Sequence, residues 1–195
     1  SIALTADSAS GPSSFHLRAL DDLALLYTQH QRYAEAIEVL KTHLDKTTQR
    51  YGPRSMQVAS ALAARAGILT TCGRYTESLD LLQRAVSIAG EYPGDGWKQI
   101  PILEEYAQAL YQTGAYEDAV DVLNRLEEYL DQVNAPYDWR VYRLQMLAMI
   151  RREQKRYDET VELVSRLMDL IDRQKSVPCA TRAQALMFLG SACFD

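Results

Sequence analysis

Cysteine is scarce: the 195 residues contain three, Cys72, Cys179 and Cys193, and none forms a CxxC pair. That pattern argues against a disulfide framework and fits a reducing, cytoplasmic setting. Histidine is equally sparse, at His16, His30 and His43. A tetrahedral metal centre needs more ligands than these supply, so neither a metal nor a cofactor is expected. Basic excess is missing as well. Lys and Arg number 21 against 26 Asp and Glu, a formal charge of −5. That is the wrong sign for displacing counterions from nucleic acid. No run approaches the roughly 20 consecutive apolar residues that a bilayer-spanning helix requires, so membrane insertion is not expected. The opening SIALTADSAS lacks the basic start and apolar stretch of a secretory signal. It also lacks an initiator Met, and the chain is expected to be part of a longer protein. Phosphate-loop, nucleophile-elbow, HExxH and EF-hand patterns do not occur, so no catalytic residue is expected and the chain is read as non-enzymatic.

What the sequence does contain is a repeat. Tyr33, Tyr75, Tyr116 and Tyr157 are spaced by 42, 41 and 41 residues. They open the similar runs RYAEAIEVL, RYTESLDLL, AYEDAVDVL and RYDETVELV. Within those runs a small residue recurs at Ala36, Ser78, Ala119 and Thr160, and a larger aliphatic one at Leu40, Leu82, Leu123 and Val164. Upstream of each tyrosine, Leu20, Leu62, Leu103, Leu144 and Leu186 keep the same period, as do Ala24, Ala66, Ala107, Ala148 and Gly190. Two separate ladders with one period define a repeat array.

Each unit reads as two helices. Apolar residues fall at i, i+3 and i+7 in both halves, as in Leu20, Leu23 and Tyr27, and again in Ile37, Leu40 and Leu44. Two-residue alternation is absent, so no strands are expected. Short turns with Gly73 or Gly114 join the halves, and Pro53, Pro93, Pro136 and Pro178 mark the longer joints between units. A lone hairpin of about 40 residues is too small to bury a sufficient core, so neighbours must stack. The small residues, with Ala24 facing Ala36 in the first unit, let the two backbones of a hairpin approach.

These residues resemble the tetratricopeptide repeat family, in the longer variety found in kinesin light chains. LDDLALLYTQHQRYAEAIEVL (20–40) is similar to the family's paired-helix pattern, and RYGPRSMQVASAL (50–62) to the linker of the longer variety. The resemblance implies an all-α fold. It would be an α-solenoid, a right-handed superhelix of antiparallel hairpins with about nine helices and repeats of 41–42 residues. Residues 17–195 would form the array, as four hairpins and the first helix of a fifth, and residues 1–16 a flexible N-terminal extension. In such arrays the first helices line a concave groove that holds a segment of another protein. The resemblance places Arg18, Asp21 and Leu25 there from repeat one. Repeat three supplies Gln108 and Tyr111, and repeat four Tyr142, Gln145, Met149 and Arg152. Met187 comes from repeat five. Repeat two contributes only small residues, among them Ser60, Ala63, Gly67, Thr70 and Thr71. The groove Lys and Asn residues with which the chaperone-binding branch clamps a terminal carboxylate are missing.

The reading is therefore an interaction scaffold or adaptor that binds a peptide or helix of a partner protein. A peptide-responsive sensor domain of a larger signalling protein is the first alternative. The second is self-association through the C-terminal half-repeat from Pro178. Cys72 is expected to be buried and inert. The neighbouring pairs Asp21–Asp22, Glu104–Glu105 and Glu127–Glu128 point about 100° apart on a helix and are expected on solvated faces. The basic run RREQKR (151–156) is expected to complement a helix C-terminus, with Arg152 facing an acidic ligand as the alternative.

Overall fold

The computed structural model describes residues 13–173, and among them there are eight α-helices and no strand. They are α1 (Ser14–Gln29), α2 (Tyr33–Tyr51), α3 (Met56–Thr71), α4 (Tyr75–Ala89), α5 (Gly96–Gln112), α6 (Tyr116–Gln132), α7 (Tyr137–Glu153) and α8 (Tyr157–Arg173). The tyrosine ladder marks the first residue of every second helix. The segment expected to form the first helix of a fifth repeat, with Pro178, Cys179, Met187 and Cys193, lies outside the described residues.

The turn inside each hairpin follows one rule. Gly73 and Gly114 adopt φ of 75° and 76°, and Gln31 and Lys155 adopt φ of 58° and 60° at the matching points. At Gln31 the next amide, Arg32 N–H, donates to the carbonyl of Tyr27 at 2.8 Å, and Arg74 and Arg156 donate likewise to Leu69 and Arg151. This is the six-to-one bond that closes a helix through one left-handed residue. Two of the four turns thus do with Gln or Lys what glycine does more cheaply.

The ladders become the core. Ala36, Ser78, Ala119 and Thr160 are all buried, as are Leu40, Leu82, Leu123 and Val164, and Ala24, Ala66, Ala107 and Ala148. In the second hairpin the small-residue crossing is visible directly. The Ser78 hydroxyl donates to the Ala66 carbonyl at 2.9 Å and lies 2.7 Å from the Thr70 hydroxyl. A larger side chain at either Ser78 or Ala66 would force the helices apart.

The chain divides at Thr113/Gly114 into two compact units. In the first, α1 pairs with α2 and α3 with α4, and the hairpins stack in order, α2 on α3 and α4 on α5. First helices α3 and α5 also pack on each other, whereas α1 and α3 make little close backbone contact. Met56, Leu62, Leu82, Ile88 and Ile102 belong to one buried cluster that runs through α3, α4 and α5. In the second unit α7 packs on both α6 and α8. Its core includes Val141, Leu167 and Ile171.

Candidate functional site

The space between α1 and α3 is a cavity of about 710 Å³. Arg18, Asp21 and Leu25 border it from α1, and Ser60, Ala61 and Ala64 from α3. Leu17 and Leu40 line it as buried apolar walls. The side chains facing it across the gap explain why it stays open. On α3 the positions that meet the next first helix are Ala63 and Gly67, whereas on α1 the repeat-equivalent residues are Asp21 and Leu25. A Cβ added to Gly67 would lie 2.7 Å from a carboxylate oxygen of Glu105 on α5. Small residues thus let α5 close on α3, and larger ones stand α1 off from it.

Besides Leu40, three residues of α2 reach this cavity: His43, Thr47 and Tyr51. His43 is buried, and its Nε2 lies 3.4 Å from Asp21 Oδ1 and 3.5 Å from the Thr47 hydroxyl. Nδ1 is buried without a hydrogen-bond partner. Burial pulls the imidazole pKa down against the opposing pull of Asp21, so the ring is neutral at pH 7. Burial likewise pushes the Asp21 carboxyl up, with His43 acting against it and Asp22 with it. The wall is therefore apolar, with one neutral imidazole and one carboxylate at its edge. His43 was legible in principle: Ala36, Leu40, His43 and Thr47 follow one helical stripe, and all four are buried.

A second cavity, of about 580 Å³, shares Thr28, Ala64 and Ile68 with the first. It is more polar, bordered by Thr71, Tyr75, Glu105, Gln108 and Gln112. Here the expected solvated carboxylate pair is corrected. Glu104 and Glu105 are both half-buried. Burial, helped by Glu105, pushes Glu104 up to about 8, and burial alone raises Glu105. The two do point apart on α5, and α3 closes on Glu105 at Gly67.

The other candidate residues are distributed as follows. Tyr111 is half-buried on α5. Tyr142, Gln145, Met149 and Arg152 are all half-buried on α7, in the second unit. Arg152 meets Glu153 at 3.3 Å. Met187 lies outside the described residues. The basic run is spent internally: Arg151 pairs with Glu159 at 3.1 Å, and Arg156 pairs with the same carboxylate. Cys72 is exposed rather than buried, because it caps α3 beyond the last buried residue, Leu69.

Unrecognised in the sequence was a network joining α6 to α7. Arg140 bridges Glu127 and Asp131 at 2.8 and 2.7 Å. Arg143 donates through Nε to the Leu123 carbonyl at 2.8 Å and lies 3.4 Å from Glu127. Burial lowers the Arg143 pKa, with Glu127 opposing. This network stiffens a hairpin joint and offers no free cation to a ligand. Among the described residues no three metal-binding side chains cluster, and no helix is long and apolar enough to cross a membrane.

Comparison with known proteins places these hairpins. Two family models described as tetratricopeptide repeat match residues 19–53 and 57–132. No curated protein matches. The fold is similar to a crystal structure of a Podosopora anserina putative kinesin light chain with nearly identical TPR-like repeats. That likeness has a TM-score of 0.74 at 20% identity and covers 90% of this chain and 84% of that one. A crystal structure of a single-substitution variant of the same protein gives the same values. At that identity the likeness speaks for the fold alone.

Proposed function

The chain belongs to the tetratricopeptide repeat family, whose repeats serve protein–protein interaction, and from that premise we propose that it binds a segment of a partner protein along the first-helix face of its first unit. The carrying observation is the α1–α3 cavity, walled by Leu17, Leu25, Leu40 and Ala61, which opens at Thr28, Ala64 and Ile68 into the polar cavity beside Glu105. An apolar side chain of the partner fills the first cavity. A polar or cationic residue further along the segment meets Glu105, Gln108 and Gln112 in the second. Apolar burial supplies most of the affinity, about 25 cal/mol per Å² removed from water. The carboxylates supply orientation, because a cation beside them restores their charged form. An extended strand or one face of an amphipathic helix meets this requirement. Tyr111 on α5 is proposed as a further contact in this unit, and Tyr142 and Met149 on α7 as contacts that the second unit offers by itself. Each combines a large contact area with a polar tip or an adaptable thioether.

The test is a displayed peptide library selected on the wild-type chain. Selected peptides should share a bulky apolar residue and lose at least tenfold in affinity for Ala64→Arg, which obstructs both cavities from an exposed site on α3. Circular dichroism checks that this variant keeps its helix content. Peptides that bind wild type and Ala64→Arg equally would remove the cavity from the reading.

A further inference from the structure

Four large apolar side chains are exposed on α1. Leu25 borders the α1–α3 cavity; the other three are Phe15 at 84%, Leu26 at 52% and Leu23 at 37%. With Ala19 they fall on one stripe, because residues three, four and seven apart share a helix face. The stripe lies on the side away from Leu17 and Ala24, the residues that α1 buries. Single exposed hydrophobics need no explanation, but a continuous stripe does.

The repeat says what such a stripe is built to do. The equivalent positions are Gln57, Ala61, Arg65 and Ile68 on α3, and Lys98, Ile102, Tyr106 and Ala109 on α5. Ala61, Ile102 and Ala109 are buried, and Ile68 and Tyr106 are partly so. On those helices this face is turned to the hairpin before it, since α2 packs on α3 and α4 on α5. On α1 the same stacking surface carries only apolar side chains and stands exposed among the described residues.

We propose that this stripe joins two copies of the chain, α1 against α1 in antiparallel fashion. The stripe is complementary to itself. When two copies cross midway along it, Phe15 of one meets Leu26 of the other at both ends, and the small Ala19 leaves room for Leu23. The flank is complementary too. Arg18 and Asp22 sit one turn apart on one side of the stripe, so each Arg18 comes opposite the other copy's Asp22. Both residues are exposed, and neither forms an ion pair within its own chain among the described residues. Two-fold closure makes every such contact occur twice.

Sedimentation velocity on the 195-residue chain, from low to high micromolar concentration, tests the proposal. The wild type should convert from monomer to dimer as concentration rises, and Phe15→Glu should stay monomeric throughout. Leu26→Glu, on the other end of the stripe, should do the same, so a folding defect in one variant does not decide the outcome. Arg18→Asp and Asp22→Arg should each weaken the dimer roughly tenfold, and the two together should restore it. A wild type that remains monomeric, or a dimer that survives both Glu substitutions, would overturn the proposal. Charge reversals whose effects simply add would overturn the antiparallel register. Arg18 also borders the α1–α3 cavity, so the reversals are judged by sedimentation and not by peptide binding.

Discussion

Replacing Glu104 by Gln should flatten the pH dependence of stability between pH 5 and pH 8. In the folded chain the Glu104 carboxyl holds its proton up to about 8, against an ordinary value of 4.5. The unfolded chain releases that proton near 4.5. Between these two values the folded state binds more protons than the unfolded state, so raising the pH favours unfolding. Stability from this group is therefore complete below about pH 4.5, falls as pH rises, and levels off above about 8. Glu105, raised by burial, contributes in the same direction. Each tenfold change in proton affinity corresponds to about 1.4 kcal/mol. Water still reaches both half-buried carboxylates and screens them, which leaves an expected loss of about 1–2 kcal/mol across the window. For a chain of this size that is roughly 2–8 °C in melting temperature. The assay is thermal unfolding followed by circular dichroism at pH 5 and pH 8, for wild type and Glu104→Gln. The wild type should melt lower at pH 8, and the variant should lose most of that difference. An equal pH effect in both proteins would refute the assignment of the burial cost to this side chain.

Leu82→Ala and Leu123→Ala remove fully buried side chains and should each cost about 2–5 kcal/mol in chemical denaturation. Lys155→Gly should stabilise by about 0.5–1 kcal/mol, because Lys155 is held at φ 60°, where glycine is unstrained; a loss of stability would contradict the left-handed turn. Ser78→Val should destabilise by at least about 1 kcal/mol, since it removes the hydroxyl shared with Thr70 and Ala66 and adds bulk at the tightest crossing of the hairpin. Ala64→Arg, placed on an exposed position, should leave the melting temperature within about 1 °C of wild type.

The hairpins were legible because each carries its own start signal and its own small-residue crossing. Tyr75 begins α4, and Ser78 sits where the period demands a small side chain. Gly73 and Gly114 announced two of the four internal turns. Gln31 and Lys155 did not, because their left-handed backbone comes from the bonds of the surrounding turn and leaves no trace in composition. Asp21, Leu25 and Gln108 do border cavities. What escaped was everything decided between helices. Glu104 and Glu105 read as solvated on their own helix; the burial of Glu105 follows from Gly67 of α3, which has no side chain to hold α5 away. In the sequence His43 invites the question of a metal ligand rather than of a cavity wall, because its partner Asp21 lies on another helix.

Gly52, at φ 85°, stands with Pro53 in the joint between α2 and α3. The α1–α2 leaf reaches the rest of its unit through this joint and through the face of α2, while α1 itself scarcely touches α3. The gauge of the slot is consequently set twice over: by Asp21 and Leu25, which hold α1 off α3, and by the connection at 52–55, whose length fixes how far the α1–α2 leaf can swing from α3.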